Sequence, residues 1–549
     1  MGWYFILLKR SLIFFILILF GFSISAFRIY YWANRKEFST VAVQNSTYAL
    51  KVASCRGNIY DFKKRPLVNE NYEQYCAVFP SIDACNSLSN ILSQEEIVEY
   101  IPNLNSGKPF CIKLKNDVNA RDLLNLRVFK VPNRYLNSDA QILPHILGYL
   151  DSSGNGVSGM EKSFNNYLKE CTGTLKINYK TDALGRLFKN ASISAQDTLY
   201  KHKSGVVLTI NKSIQRIVHD IAKENLKKGA IIVTEVPNCK IRALVSMPEF
   251  NLLNIEESIN NKDSPFLNRA LISYNAGSVY KLVTAMALLE ENIDGLDSYN
   301  CQGNIVVDNT CFHCAKCRSH GVQNLEQAIS NSCNTYFINF SKDLNPEKFY
   351  NLNKNLGFGT NIKLADGYES CGGAIPTVND LKDLNTIANL SFGQGELMVT
   401  PLQISALINA IASNGRYISP SLVEGLVDAG LNFTEKFKNS SPKWVIKEKT
   451  AKIIKDGMLS CVEKGTGVLG KLNSIKAAAK TSTAQTGIIS EDGRNVLQGW
   501  FAGFFPFNEP KYCIVILAED VQSGGTDCGP IFKKVAEEIM KVESDNVQY

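Results

Sequence analysis

Residues 274–289 read Tyr-Asn-Ala-Gly-Ser-Val-Tyr-Lys-Leu-Val-Thr-Ala-Met-Ala-Leu-Leu, a small-residue turn that runs into an apolar, helix-favouring stretch. The pattern predicts a helix that starts at Ser278, with Lys281 one turn later on the same face. A helix start offers free backbone N–H groups and a positive dipole, and a lysine amine of lowered pKa can accept the serine proton. The stretch predicts a serine nucleophile, and the alternative is a simple N-cap beside a solvated lysine.

Two later segments contain residue types that suit the same chemistry. They are Ser332-Cys333-Asn334 and Lys480-Thr481-Ser482-Thr483. Either segment alone is typical of a turn or of an edge strand. Together with Ser-x-x-Lys they follow the order used by serine penicillin-recognising enzymes. Three matches in that order predict an acyl-transfer site.

With these motifs the chain resembles the class B penicillin-binding proteins, which are peptidoglycan D,D-transpeptidases. Two patches near the N-terminus support the resemblance, Arg56–Asp61 and Pro144–Tyr149 with the following Gly159–Glu161. The resemblance implies an α+β fold of the serine β-lactamase-like type, in which an antiparallel sheet flanks a helical subdomain. It also implies an N-terminal pedestal domain and a transmembrane helix.

The resemblance implies how the acyl-enzyme would form. Ser278 would attack an amide carbonyl, and Lys281 would serve as its base. Ser332 would relay a proton to the departing amine, and Asn334 would hydrogen-bond the donor peptide. Backbone N–H groups of Ser278 and Thr483 would form the oxyanion hole.

The third motif is implied to bind the substrate carboxylate. Lys480 would attract that carboxylate and lower the pKa of Lys281 by like-charge repulsion. Thr481 and Thr483 would offer hydroxyls to it. The family usually has glycine where this chain has Ser482, so the extra side chain is expected to narrow the approach of substrates and of bulky β-lactams. Ala276 likewise stands where proline is usual.

The composition indicates a multidomain protein. The chain has 549 residues, of which 45% are hydrophobic, so it can bury two or three cores. The net charge is +7 without a dense Lys/Arg block, so we expect no nucleic-acid partner. We expect residues 1–33 to form a cytoplasmic tip and membrane anchor, 34–204 the pedestal, and 205–549 the transpeptidase domain.

The membrane anchor is predicted from an uncharged run. Residues 11–27 lack charge, and the aromatic residues 30–32 that follow suit a membrane interface. A cleaved signal peptide with a small-residue site at 23–26 is the alternative. Cations flank the run on both sides, so export of the C-terminal part is inferred from its expected function.

Cysteines are frequent and oddly numbered for an exported protein, at 15. Several of them lie between the first two motifs, and Cys314-x-x-Cys317 has the spacing of a zinc knuckle. The resemblance to a zinc-carrying subset of the family implies a structural zinc at Cys301, Cys314, His320 and Cys333. Disulfides and buried free thiols are alternatives, and Cys311, His313 and Cys317 could replace or join the ligands.

We expect a single-pass membrane protein that cross-links peptidoglycan stem peptides on the extracytoplasmic face, through an acyl-enzyme formed from D-Ala-D-Ala donors. Penicillins and other β-lactams should acylate Ser278, and a cell-wall glycosyltransferase is an expected partner. The alternatives are a D,D-carboxypeptidase, a β-lactam hydrolase or sensor, and a divisome scaffold. Elongation (cell shape), division and sporulation all stay open as cellular roles, as does the acceptor amine.

Overall fold

A computed structural model describes residues 2–35, 47–115, 126–136, 140–182, 194–489 and 493–545. Its first helix, Gly2–Ala33, is exposed along its whole length, and it is long and apolar enough to cross a membrane. The predicted uncharged run lies within this helix. A signal sequence would have the same length and composition, so both readings of this segment stay open.

The chain divides into two compact units whose segments alternate along the sequence. The first contains residues 72–133 and 172–200 together with the N-terminal 55 residues, and the second contains 56–71, 134–171 and 201–549. The N-terminal patches that begin at Arg56 and Pro144 therefore belong to the second unit. The predicted domain limits at residues 34 and 205 stay predictions.

Besides the helix Gly2–Ala33, the described residues of the first unit form two three-stranded sheets and two further α-helices. The sheets have the strand orders Thr47–Cys55, Gly173–Lys180, Ser194–Asp197 and Phe110–Leu114, Asn71–Val78, Leu126–Asn133. The helices are Ile82–Ser89 and Gln94–Asn105. Ser93 and Glu96 form a capping box that satisfies N–H groups at the start of the second helix.

A five-stranded antiparallel sheet forms the centre of the second unit. Its strands are β1 (Gly229–Glu235), β2 (Lys240–Met247), β3 (Ala478–Ile489), β4 (Asn495–Phe505) and β5 (Tyr512–Glu519). Their spatial order is β2-β1-β5-β4-β3, so β3 with the third motif lies at one edge. β1 and β2 pair antiparallel and are joined by a short turn that contains Pro237, so they form a hairpin.

Both faces of this sheet are buried, which explains the continuous apolar run of β5. Ile514 and Ile516 pack on one face with the helices Lys212–Asn225 and Gly529–Asp545. Val515 and Leu517 pack on the other face, which carries the helical subdomain. Because strand side chains alternate in direction, each face of β5 contributes to a different core.

The helical subdomain packs against the second face of the sheet and positions the first two motifs. Its central helix, Lys281–Glu290, is buried over its first eight residues. The other helices of the second unit are Pro144–Leu147, Gly159–Ser163, Asn165–Glu170, Glu256–Ile259, Leu325–Ser330, Asn334–Ser341, Pro346–Asn355, Leu384–Ser391, Pro401–Ala412 and Glu448–Lys464.

Shorter strands complete the second unit. One sheet has the order Phe433–Lys436, Val423–Val427, Gly205–Leu208, Asn58–Tyr60. Two-stranded pairs are Tyr299–Cys301 with Gly321–Gln323, Asn304–Val307 with Thr310–His313, Lys363–Ala365 with Tyr368–Glu369, and Arg416–Tyr417 with Lys443–Trp444. The strand Gly205–Leu208, at the predicted start of the transpeptidase domain, therefore lies outside the central sheet.

A buried ion pair joins the two N-terminal patches of the second unit. The Glu161 carboxylate is fully buried and accepts hydrogen bonds from Arg56 Nε at 2.9 Å and Arg134 Nε at 2.6 Å. A buried carboxylate needs such partners, because an unpaired buried charge is strongly destabilising. Arg56 and Glu161 are 105 residues apart in sequence.

Candidate active site

The nucleophile segment turns sharply before its helix begins. Gly277–Tyr280 forms a 3-10 turn, and the α-helix starts at Lys281. Gly277 has φ +52°, a left-handed conformation that glycine adopts at little cost. A Cβ at Gly277 would lie 2.3 Å from Ser482 Oγ, so the strand passes directly against this turn.

Lys281 is the residue on which the motifs converge. Its side chain is fully buried, and its Nζ lies 3.0 Å from Ser278 Oγ and 3.1 Å from Ser332 Oγ. The same nitrogen lies 2.7 Å from the Ser332 carbonyl oxygen and 2.6 Å from Asn334 Oδ1. The first and second motifs therefore meet at one amine.

The protonation state of this amine follows from its surroundings. Burial, followed by the charge of Lys480, holds the pKa of Lys281 well below its usual range. A neutral lysine amine has two N–H donors and one lone pair. The Ser332 carbonyl and Asn334 Oδ1 can only accept, so they take the two donors. The lone pair is thus left for the hydroxyl of Ser278 or Ser332.

The loop of the second motif is held in an unusual backbone conformation. Ser332 has φ +55°, and the helix that follows begins at Asn334. Asn334 Nδ2 donates to the His313 carbonyl at 2.8 Å, which orients Oδ1 towards Lys281. The short strand that ends at His313 therefore fixes the orientation of the Asn334 amide.

The third motif contributes a second buried cation from the edge strand β3. Lys480 is fully buried, and its Nζ donates to the Thr481 carbonyl at 2.9 Å. Burial lowers the pKa of Lys480 to about 8. Near neutral pH, Lys480 is therefore mostly charged, whereas burial and the charge of Lys480 shift Lys281 towards its neutral form.

The two threonines of this motif have different partners. Thr481 Oγ1 lies 2.5 Å from Thr466 Oγ1, and Thr466 Oγ1 in turn contacts Cys461 Sγ at 3.4 Å. Thr483 is exposed, and its hydroxyl accepts a hydrogen bond from the Gly524 N–H. Thr466 was not among the predicted site residues, although Gly465 and Gly467 beside it signal a tight turn.

These residues line a cleft of about 930 Å³. Ser278, Ser332, Asn334 and all three residues 481–483 reach its surface, whereas Lys281 and Lys480 lie beneath it. Phe392, Gln394 and Gly395, from the glycine-containing loop after the helix Leu384–Ser391, also line it. The structure thus brings together all eight residues predicted for catalysis and substrate binding.

Ser482 does not point freely into the cleft. Alternation along β3 directs Lys480 and Ser482 to the face that carries the helix of Lys281. Ser482 Oγ is buried and has no hydrogen-bond partner among the described residues. Its side chain faces Gly277, so the presence of a Cβ at this position would affect substrates by setting the position of Ser278.

The four predicted metal ligands lie next to this site. Ligand atoms of Cys301, Cys314, His320 and Cys333 are all within 4.8 Å of one another. The Sγ atoms of Cys301 and Cys333 each lie 3.8 Å from Cys314 Sγ, and His320 Nδ1 lies 3.3 Å from Cys301 Sγ. Zinc held by sulfur at about 2.3 Å in a tetrahedron requires S···S distances of about 3.8 Å. The donor set therefore fits a structural zinc.

The other cysteines near the cluster have a different environment. Cys311 and Cys317 are exposed and do not join the group of four.

The three clustered thiols are buried and form no disulfides. Their mutual contact lowers the pKa of Cys314, because its thiolate accepts a hydrogen bond from Cys333. The Thr335 hydroxyl, 3.2 Å from Cys301 Sγ, adds a further donor to the thiols.

A buried lysine that contacts a serine hydroxyl, with a second lysine beneath the same cleft, is the arrangement of a serine acyl-transfer enzyme. Residues 229–537 match the family model of the penicillin-binding protein transpeptidase domain. This match covers more than half of the chain, which therefore belongs to the penicillin-binding protein transpeptidase family.

Individual relatives agree with this assignment. Stage V sporulation protein D of Bacillus subtilis is 27% identical over 471 residues, covering 80% of this chain and 70% of that protein. The peptidoglycan D,D-transpeptidase FtsI homolog of Mesostigma viride is 25% identical and covers 97% and 96%. The structure of penicillin-binding protein 3 of Mycobacterium tuberculosis, complexed with aztreonam, superposes with a TM-score of 0.65 at 20% identity, covering 90% of this chain and 97% of that chain.

These findings confirm three of the sequence-based predictions. The α+β penicillin-binding transpeptidase fold is confirmed, as is the assignment to class B penicillin-binding transpeptidases. The enzyme class, a serine-type peptidoglycan D,D-transpeptidase, is confirmed at the level of the family. The zinc and the roles of individual residues stay predictions.

We predict that removing the Ser482 hydroxyl and removing its whole side chain have different effects. Ser482→Ala should raise the free energy of unfolding by about 1 kcal/mol, because it deletes a buried hydroxyl without a partner. Its acylation by β-lactams should match that of the native protein. Ser482→Gly should increase acylation by bulky β-lactams by about tenfold, because the nucleophile turn can then shift.

Thermal unfolding and stopped-flow acylation of the three proteins provide the measurements. Equal acylation rates in the native protein and Ser482→Gly would show that this side chain does not control access to Ser278.

Proposed function

We propose that this protein is a membrane-anchored transpeptidase that cross-links peptidoglycan stem peptides, with Ser278 as its nucleophile. The observation that carries the proposal is the position of Lys281 Nζ, within 3.1 Å of both serine hydroxyls and buried beside a second lysine. The names of the relatives support the substrate class. This combination supplies a base, a proton relay and a binding charge in one cleft.

In the first step, Ser278 Oγ attacks the carbonyl carbon between the two terminal D-alanines of a donor peptide. Its proton passes to the lone pair of Lys281 as the C–O bond forms. Ser332, 3.1 Å from the same nitrogen, relays that proton to the leaving amine while the C–N bond breaks. The products are an acyl ester on Ser278 and free D-alanine.

In the second step, an amine of another stem peptide attacks the ester carbonyl. It gives a proton back through Lys281 to Ser278 Oγ as the ester bond breaks, so the enzyme is regenerated. The new amide is the cross-link. Asn334 Oδ1 accepts a hydrogen bond from Lys281 Nζ, and Asn334 Nδ2 donates to the His313 carbonyl. These contacts fix the Asn334 amide, so that it can hold the donor backbone close to Lys281 in both steps.

The third motif binds the terminal carboxylate of the donor. Lys480 supplies the positive charge from beneath the cleft, and the hydroxyls of Thr481 and Thr483 supply hydrogen bonds. Thr466 positions Thr481 through their hydroxyl contact. A penicillin presents a carboxylate and a strained amide in the same arrangement, so it should acylate Ser278 as the donor does. The Mycobacterium tuberculosis protein of similar fold forms a complex with the β-lactam aztreonam.

The cellular setting follows from the substrate. Peptidoglycan lies outside the cytoplasmic membrane, so the helix Gly2–Ala33 would act as a single-pass anchor and the second unit would face outward. A cell-wall glycosyltransferase is the proposed partner that would supply the glycan strands to be cross-linked.

We further propose that Cys301, Cys314, His320 and Cys333 hold a structural zinc. The buried ligand atoms and the 3.8 Å sulfur spacings support it. The metal would supply folding free energy and would fix the loop of the second motif, because Cys333 lies between Ser332 and Asn334. Its place in the sequence thus links metal binding to the geometry around Lys281.

The function is tested by labelling and product analysis. Labelled benzylpenicillin should attach to the native protein and to the exposed-serine control Ser298→Ala, but not to Ser278→Ala. With a D-Ala-D-Ala donor and an amine acceptor, mass spectrometry should detect the cross-linked amide. Hydrolysis of donor or antibiotic without any amide product would instead identify a carboxypeptidase or a β-lactam hydrolase.

The rate of Ser278 acylation should fall as the pH rises through about 8. Burial and the charge of Lys480 lower the pKa of Lys281, which favours the neutral amine that acts as the base. Above about 8, Lys480 loses its proton, which removes the carboxylate-binding charge. Rapid-quench acylation by benzylpenicillin between pH 6 and 10 measures this.

Lys480→Arg serves as the control, because arginine keeps its charge over this range. Provided that its melting temperature matches the native value, the decline near pH 8 should disappear. A native rate that stays level or increases up to pH 10 would contradict the assigned charge states.

Loss of the metal should damage chemistry as well as folding. Cys333→Ser, or treatment with a chelator, should lower the melting temperature and slow Ser278 acylation by about tenfold or more, since the loop loses its anchor. Cys371→Ser is the matched control because Cys371 is exposed and lies outside the cluster. Cys55 and Cys239 are unsuitable controls, since both thiols are buried.

Elemental analysis of protein purified without chelator should find one zinc per chain. Absence of stoichiometric zinc, or normal acylation by Cys333→Ser, would refute this part of the proposal.

A further inference from the structure

The loop that follows His313 forms one wall of the cleft. His313, Ala315, Lys316 and Cys317 all line it, together with the buried Cys314. Among the described residues that line the cleft, Lys316 is the one lysine or arginine, and none is an aspartate or glutamate. The other lining residues are amides, hydroxyls, apolar groups, two cysteines and two histidines. The surface of the cleft is therefore marked by a single cation.

This cation has no partner in the free protein. Lys316 is exposed and makes no hydrogen bond or ion pair with any other described residue. Its backbone is also unusual, with φ +56° and ψ +28°, and Cys317 follows with φ +52°. Two consecutive left-handed residues other than glycine are costly, and such strain is concentrated at functional sites.

The loop contacts Asn334, which we assign to the donor peptide. Asn334 donates its amide hydrogen to the carbonyl of His313, and Lys316 is three residues beyond this contact. Lys316 and Asn334 both line the cleft, so a donor peptide held by Asn334 would lie on the same cleft surface as Lys316.

Acidic side chains lie on another side of the cleft, next to the loop that contains Gln394 and Gly395. A neighbouring cavity of about 350 Å³ shares Asn389, Gln394 and Gly395 with the cleft. It is lined by the carboxylates of Asp380, Asp383 and Glu396. An anionic group of a substrate is repelled from that side and attracted towards Lys316.

We infer that Lys316 is a specificity-determining residue that binds a side-chain carboxylate of the donor peptide, on the residue that precedes the terminal D-Ala-D-Ala. This inference rests on the proposed function. It assigns the enzyme to donors with a free carboxylate at that position, in preference to donors in which this group is an amide. The terminal carboxylate of the donor is bound separately, by Lys480 and the threonines of the third motif.

The test uses two synthetic donors that differ only in this group, one with a carboxylate and one with a carboxamide. Native full-length protein in detergent should show a kcat/KM about fivefold higher for the carboxylate donor, the size expected for a partly exposed ion pair. Added salt should reduce the preference. Lys316→Gln should abolish it, and Lys316→Arg should retain it.

Lys452→Gln is the matched control, because it removes the same charge from an exposed helix position outside the cleft. It should keep the preference of the native protein. Benzylpenicillin labelling of Ser278 should be unchanged in every variant, which shows that the acylation machinery is intact. Equal kcat/KM for the two donors, or a preference that persists in Lys316→Gln, would overturn the inference while leaving the proposed function standing. Failure of the native protein to be labelled would overturn both.

Discussion

The site depends on one buried amine whose neighbours come from separate parts of the chain. Lys281 Nζ contacts Ser278 in its own turn, and Ser332 and Asn334 in the second motif. Burial of a lone ammonium is expensive, so packing lowers the pKa of Lys281 and favours its neutral amine. In the proposed mechanism this amine activates the serine without a histidine.

The edge position of β3 explains how a second lysine can lie beneath the same cleft with a different charge state. Lys480 donates to the Thr481 carbonyl and has a pKa of about 8, whereas the pKa of Lys281 is lowered further by the charge of Lys480. The charge of Lys480 therefore disfavours a second charge on Lys281. In the proposed mechanism the pair supplies one base and one carboxylate-binding charge.

Much of this arrangement could be predicted from the sequence, because the chemistry is carried by short motifs. Ser278, Lys281 and the later motif residues are local signals. The four clustered ligands were implied by the family resemblance, whereas the Cys314-x-x-Cys317 spacing pointed to Cys317, which lies outside the cluster. Thr466 was missed because a threonine in a glycine turn has no distinctive pattern. The alternation of the two units was also missed, since the bond between Arg56 and Glu161 joins residues 105 positions apart. A contact between residues so far apart in the sequence produces no periodic pattern of apolar and polar residues from which it could be predicted.

The second motif connects the cysteine cluster to Lys281, because Cys333 lies between two residues that contact this lysine. Ser332 adopts φ +55°, a conformation that a serine leaves readily unless its neighbours hold it. Cys333, the next residue, is fully buried, its N–H bonds the Ala328 carbonyl, and its sulfur lies in the cluster. Asn334 is then held by the His313 carbonyl, on the loop that also carries Cys314. Because the residues on both sides of Cys333 contact Lys281, the anchor of one sulfur constrains two hydrogen bonds to the base. The basicity of Lys281 therefore depends on residues that never touch the substrate.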